Sequence, residues 1–180
     1  VLTDKEHPSG TDRIFEAYQK LNLENIDYII NLQGDEPIID VIDINKLYNI
    51  TLKNNSEIST LACKISDYKI LSENSIVKVV TEKELSDENS SKAKYFLRKI
   101  LEKKYKNIYH HIGIYIYKAS VLKKFINLKQ TKNEISQKLE QLRAMENNIK
   151  IDVILANSSP IGVDTYEDYM KIKKLMENKN

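Results

Sequence analysis

Five short runs rich in Ile, Val and Tyr, at residues 26–32, 58–63, 76–81, 109–117 and 150–155, alternate with stretches of helical period at roughly 40–53, 118–126, 134–147 and 165–178. β-Branched and aromatic residues fit the pleated surface of a strand. Strands interleaved with helices predict an α/β fold with a mixed, mostly parallel sheet covered on both faces. In such sheets, ligands bind beyond the carboxyl ends of the strands. A further helix of about three turns is expected after Ser9-Gly10-Thr11-Asp12, whose capping groups precede Ile14, Tyr18 and Leu21 on one helical face. The polar stretch 82–94, EKELSDENSSKAK, reads as a loop. At 180 residues the chain suits one domain with a single core, spanning 1–180.

Composition excludes several function classes. The longest apolar runs are only a few residues, against the roughly 20 that a membrane span requires, so no membrane partner is expected. Cys63 is the only cysteine, which rules out an intramolecular disulfide and a thiolate metal cluster and suits a reducing cytoplasm. The net charge of +2 arises from 28 basic and 26 acidic residues scattered along the chain. A nucleic-acid footprint needs a clustered basic stripe, so no nucleic acid is expected. The N-terminus, VLTDKEH, has neither an initiating Met nor the pattern of a signal peptide, and a fragment whose beginning is missing is expected.

The special backbone residues coincide with the densest polar clusters. Glycines stand at 10, 34, 113 and 162 and prolines at 8, 37 and 160, within HPSGTDR (7–13), QGDEP (33–37), HHIGIY (110–115) and SSPIGVDT (158–165). Functional loops on a rigid scaffold have this character. In QGDEP a strand delivers Asp35 and Glu36 together at its tip, where like charges repel unless a cation offsets them. Gly34 lets the backbone come close to a ligand and Pro37 stiffens the exit. Glu36 alternates to the side opposite Asp35 and is not counted as a ligand. Along 109–117, side-chain alternation puts His110, Ile112, Ile114 and Ile116 on one face. Tyr109, His111, Gly113, Tyr115 and Tyr117 share the other, which reads as a cleft wall where the glycine leaves room at the backbone.

These segments, with VKVV at 77–80 and LEQLR at 139–143, resemble the CMP-Kdo synthetases, the 3-deoxy-manno-octulosonate cytidylyltransferases, in order and spacing from residue 1 to near 178. The resemblance implies a Rossmann-like nucleotide-diphospho-sugar transferase fold, Mg²⁺ dependence, CTP and Kdo as substrates, and a homodimer. It also implies the reaction: the anomeric hydroxyl of Kdo attacks the α-phosphorus of CTP, pyrophosphate leaves, and CMP-Kdo forms for lipopolysaccharide synthesis. Asp35 and Asp164 match the family's catalytic, magnesium-binding carboxylates, and hard carboxylate oxygens suit Mg²⁺. Arg13, Gln33, His111, Glu140 and Gln141 match positions that contact the sugar acid, while Ser9 and His7 sit in a loop near the sugar or nucleotide. No side-chain general base is assigned. Each residue also has a plainer role: Asp35 as a turn residue, Asp164 as the cap of a helix beginning near Tyr166, Arg13 as a solvated side chain. Glu140 and Gln141 would ordinarily face outward beside the Ile135, Leu139, Leu142 stripe, and Ser9 could simply order a helix start.

The chain also departs from the family. The P-A-R-x-x-S-x-R-L-P-G-K loop that wraps CTP is absent, so 1–180 is expected to be the C-terminal portion of the family domain, with its first strands missing and no activity alone. Leu97 replaces a serine in YFLRK (95–99), and Gln137 replaces a glutamate before LEQLR. Two other readings are a sialic-acid-type cytidylyltransferase and a non-catalytic remnant or subunit.

Overall fold

The computed structural model describes residues 1–34, 36–101, 104–157, 162, 163 and 165–177. Helix α1 runs from Gly10 to Leu21, and Ser9 caps it by accepting from the Asp12 amide. Strand β1 (Tyr28–Asn31) is followed by α2 (Val41–Asn54), capped by Asp40. Then follow β2 (Ile58–Cys63), a 3₁₀ turn at Tyr68–Ser72, β3 (Lys78–Thr81), β4 (Ser91–Leu97) and the long β5 (Ile108–Lys118). Helices α3 (Ala119–Ile126), α4 (Lys132–Gln137) and α5 (Gln141–Glu146) precede β6 (Ile151–Leu155) and α6 (Tyr166–Glu177).

The six strands form one sheet in the order β1-β5-β2-β6-β4-β3, and β3 also pairs with β5. The pairings β5–β2–β6–β4–β3–β5 therefore close on themselves, with β1 beside β3 along the other edge of β5. The sheet is mixed, as expected, but not mostly parallel: among the described residues only β2–β6 is parallel, and the other five pairings are antiparallel. The unforeseen strand explains much of the difference. β4 begins inside the stretch read as a loop, pairs antiparallel with both β3 and β6, and so brings β3 back against β5. Its Ser-Lys-Ala-Lys start hides a strand because the lysines face outward, and Lys92 reaches the buried Asp152 at 2.6 Å. An antiparallel strand solvated on one face tolerates such a pattern.

Both sheet faces are packed. Ile112, Ile114 and Ile116 of β5 meet Leu47 and Ile50 of α2 with Leu61 and Ile154. The opposite face is core as well over most of its length: Tyr109, Tyr115 and Tyr117 are buried with Leu122 and Phe125 of α3 and Ala144 of α5. The expected cleft wall is thus confined to the middle of β5. There the ladder slips, Thr60 pairing with Tyr115 and Leu61 with Ile112, so Gly113 and Ile114 bulge. The Thr60 hydroxyl lies 3.1 Å from the Ile112 carbonyl and 2.8 Å from that of Ile114, supporting the carbonyls where the ladder is interrupted.

The helix expected at 134–147 is two helices at a corner. Lys138 takes a left-handed conformation (φ 52°) that ends α4, and no Gly or Pro marks the break. Thr131 and Glu134 form a capping box at the start of α4. Arg143 reaches from α5 to Glu134, with Nε donating to both carboxylate oxygens at 3.0 and 2.9 Å. The corner turns Glu140 and Gln141 inward, against the outward orientation that a continuous helix would give them.

Candidate active site

The middle of β5, the start of α1 and the α4–α5 corner surround a cavity of about 1070 Å³. Of the sequence-derived candidates, Ser9, Gln33, His111, Glu140 and Gln141 all line it. They come from four separate parts of the chain. Asp35 and Asp164 lie outside the described residues. Their described neighbours Gln33, Glu36, Gly162 and Asp168 line this same cavity. The cap of α6 is Thr165, which exchanges hydrogen bonds with Asp168 at 3.2 Å in each direction.

Arg13 is not among the lining residues. Its guanidinium donates to Thr3 Oγ1 at 3.0 Å and to the carbonyls of Asp4 and Lys5, tying down the preceding segment. His7 also points elsewhere, pairing with Glu16, whose carboxyl is held at about 2 by Lys20, His7 and the Asp4 amide. The basic side chains that do line the cavity are Arg98 and Lys138. Arg98 spans two walls, its guanidinium donating to the Asn74 carbonyl at 2.9 Å on one side and to those of Gln137 (2.6 Å) and Lys138 (3.0 Å) on the other. Its position in YFLRK, just after a strand that looked like a loop, concealed it. Tyr115 also lines the cavity, and alternation had already placed it on the face of His111 and Gly113.

His111 is buried, and desolvation pulls its pKa down to about 3, so the imidazole is neutral at pH 7. Its Nε2 lies 3.0 Å from Thr60 Oγ1. The single hydroxyl proton of Thr60 is drawn to the bulge carbonyls, so Nε2–H donates to Thr60 and Nδ1 is the acceptor nitrogen. Burial likewise pulls His110 down and, with Glu140 nearby, pushes Tyr115 and Tyr117 up, keeping both phenols protonated. Glu140 accepts from Thr11 Oγ1 at 2.7 Å, and Thr11 in turn meets the Tyr117 hydroxyl at 3.1 Å. What lies over Gly113 is the Gln33 side chain, 3.9 Å from where a methyl would stand, so that position has room for one. Among the described residues no group of three or more His, Cys, Asp or Glu could hold a metal, and no helix is long and apolar enough to cross a membrane.

Against solved structures, the chain resembles apo UDP-glucose pyrophosphorylase with a TM-score of 0.68 at 14% identity, covering 99% of this chain and 63% of that one, a likeness of fold alone. It matches CMP:2-keto-3-deoxy-manno-octonic acid synthetase complexed with CTP with a TM-score of 0.86 at 33% identity, covering 100% and 73%. With its mixed sheet and helices on both faces, and with these likenesses, the chain is a nucleotidyltransferase of the nucleotide-diphospho-sugar transferase fold. A family profile described as cytidylyltransferase matches residues 1–151. The 3-deoxy-manno-octulosonate cytidylyltransferase of Rickettsia canadensis (strain McKiel) is 36% identical, covering 99% of this chain and 70% of that protein. The enzyme of that name from Thermodesulfovibrio yellowstonii is 40% identical, covering 98% and 72%. The chain belongs to the 3-deoxy-manno-octulosonate cytidylyltransferase family.

Proposed function

We propose that this chain transfers a cytidylyl group from CTP to the anomeric hydroxyl of Kdo, giving CMP-Kdo and pyrophosphate for lipopolysaccharide synthesis. The observation that carries the reading is the convergence of Ser9, Gln33, His111, Glu140 and Gln141 on one cavity. A neutral imidazole offering an acceptor nitrogen, a carboxylate and two amides suit the hydroxyls of a sugar. Arg98 and Lys138 suit its carboxylate, the part that the sequence reading gave to Arg13.

Asp35 and Asp164 would hold Mg²⁺, and the meeting of their flanking segments at the cavity supports that donor set. When bound, the ion neutralises charge developing on the triphosphate. The chain's own side chains contribute mainly by positioning the sugar for in-line attack. The reading also includes a homodimer, as the sequence resemblance implies, and a cytoplasmic setting, which the single buried Cys63 suits. The sialic-acid alternative is less well supported, since the relatives above are named for the Kdo reaction.

Pyrophosphate release from CTP, assayed with Kdo and Mg²⁺ in the enzyme containing this chain, tests the proposal. Asp35→Asn is expected to lower turnover at least about a hundredfold, because a neutral amide is a poorer Mg²⁺ ligand than a carboxylate. A parent enzyme active on sialic acid but silent on Kdo would discard the substrate. An Asp35→Asn rate close to the parent's at saturating Mg²⁺ would discard the metal role.

A further inference from the structure

Lys78 sits in VKVV on β3, in register with His110 and Leu97, and its side chain is fully buried. Burying an ammonium is costly unless its donors are satisfied. Here Nζ lies within hydrogen-bond reach of four main-chain carbonyls, Ile70 at 3.0 Å, Glu73 at 2.7 Å, Ile76 at 2.7 Å, and Arg98, which share its three N–H groups. These belong to three stretches: the 3₁₀ turn, the loop between that turn and β3, and the residue after β4. The same stretches supply one wall of the cavity, through Glu73, Ser75, Ile76, Val77 and Arg98.

We propose that Lys78 is a positioning residue: an internal cation whose four-carbonyl chelate sets the shape of this wall and the place from which Arg98 spans the cavity. The main-chain carbonyl of Arg98 is held by Lys78 while its guanidinium holds Asn74, Gln137 and Lys138. The chelate therefore fixes the distance between this wall and the corner bearing Glu140 and Gln141. Its effect on the sugar acid rests on the function proposed above; its effect on the wall does not. Desolvation lowers the Lys78 pKa to about 8, so the ammonium remains charged at pH 7. An apolar residue would fill the space without that cost, and would leave four carbonyls with no common donor.

Two variants test the proposal, Lys78→Met and Lys78→Ala, read by amide hydrogen exchange and by titration with Kdo. In Lys78→Met, amides of residues 70–77 and 98–100 are expected to exchange about tenfold faster or more while those of β2, β5 and β6 keep their protection, as in local opening. Kdo affinity is expected to fall about tenfold, or roughly 1.4 kcal/mol. In Lys78→Ala the emptied carbonyl cage should accept a small cation, as carbonyl rings do in potassium filters. Ammonium chloride should then restore both readouts where sodium chloride at equal ionic strength does not. Unchanged exchange at 70–77, or faster exchange spread evenly over the sheet with no ammonium rescue, overturns the proposal by making Lys78 an ordinary core residue. A parent that binds no Kdo would overturn the sugar-acid reading, and the chelate would then be judged by the exchange pattern and its rescue alone.

Discussion

Replacing Glu134 with glutamine should lower the stability of the fold by about 3–5 kcal/mol, the usual cost of removing one partner from a buried ion pair. Arg143 is 1% exposed and Glu134 3%. The guanidinium meets both oxygens of Glu134, lies over the Phe125 ring at 4.7 Å, and has Asp12 as a more distant partner at 3.9 Å. Glutamine keeps the size of the side chain and can still accept from the Thr131 amide, so the loss isolates the charge. Denaturant midpoints give the measurement. Since a buried pair can often be replaced as a unit at little cost, the Glu134→Leu, Arg143→Met double variant should be the more stable of the two. A single variant within about 1 kcal/mol of the parent would mean that Asp12 and solvent compensate the guanidinium.

The second large effect is a loss of stability in acid through His111. Its folded pKa of about 3 lies below the ordinary value of 6.5, so between these pH values the unfolded chain binds a proton that the folded chain refuses. The stabilising contribution is complete above pH 6.5 and is lost as pH falls toward 3, with a total on the order of 5 kcal/mol. His110, also lowered by burial and then by Lys78, acts in the same direction. His111→Gln keeps a partner for Thr60 but cannot titrate, so its stability should fall less steeply between pH 6.5 and about 4. Parallel curves for parent and variant would show that the imidazole is protonated at no cost in the fold, contrary to its burial.

What was legible in the sequence was largely local. The Ser9 cap and the spacing of Ile14, Tyr18 and Leu21 specify α1 from neighbouring residues, and the tract at 109–117 announces β5. The direction of strand pairing was not legible, because the antiparallel circuit that includes the direct β3–β5 pairing is completed by a strand that begins Ser-Lys-Ala-Lys. The bend at Lys138 escaped because a lysine adopts the left-handed conformation that usually calls for glycine or asparagine. Five residues that line the cavity, from Ser9 to Gln141, were singled out through whole motifs rather than through their own chemistry. Arg13 lies off the cavity lining, on Thr3, Asp4 and Lys5, because a motif position does not fix which way a long side chain turns. Lys78 lies within VKVV and gives no sign of its burial there, because its four acceptors are main-chain atoms and carry no side-chain signature.

The closed circuit of strands has a mechanical consequence. A sheet with free edges can yield by sliding or splaying a strand, but here β3, β4, β6, β2 and β5 each hold the next, and parting any pair strains the others. The cavity is therefore a cup with a stiff floor and a softer rim. The floor is the middle of β5; the rim is made by the first turn of α1, the wall at 73–77 and the α4–α5 corner, joined by single side chains. Admission and release of a ligand then fall to the rim, and substitutions that stiffen the floor should leave the pace of that exchange untouched.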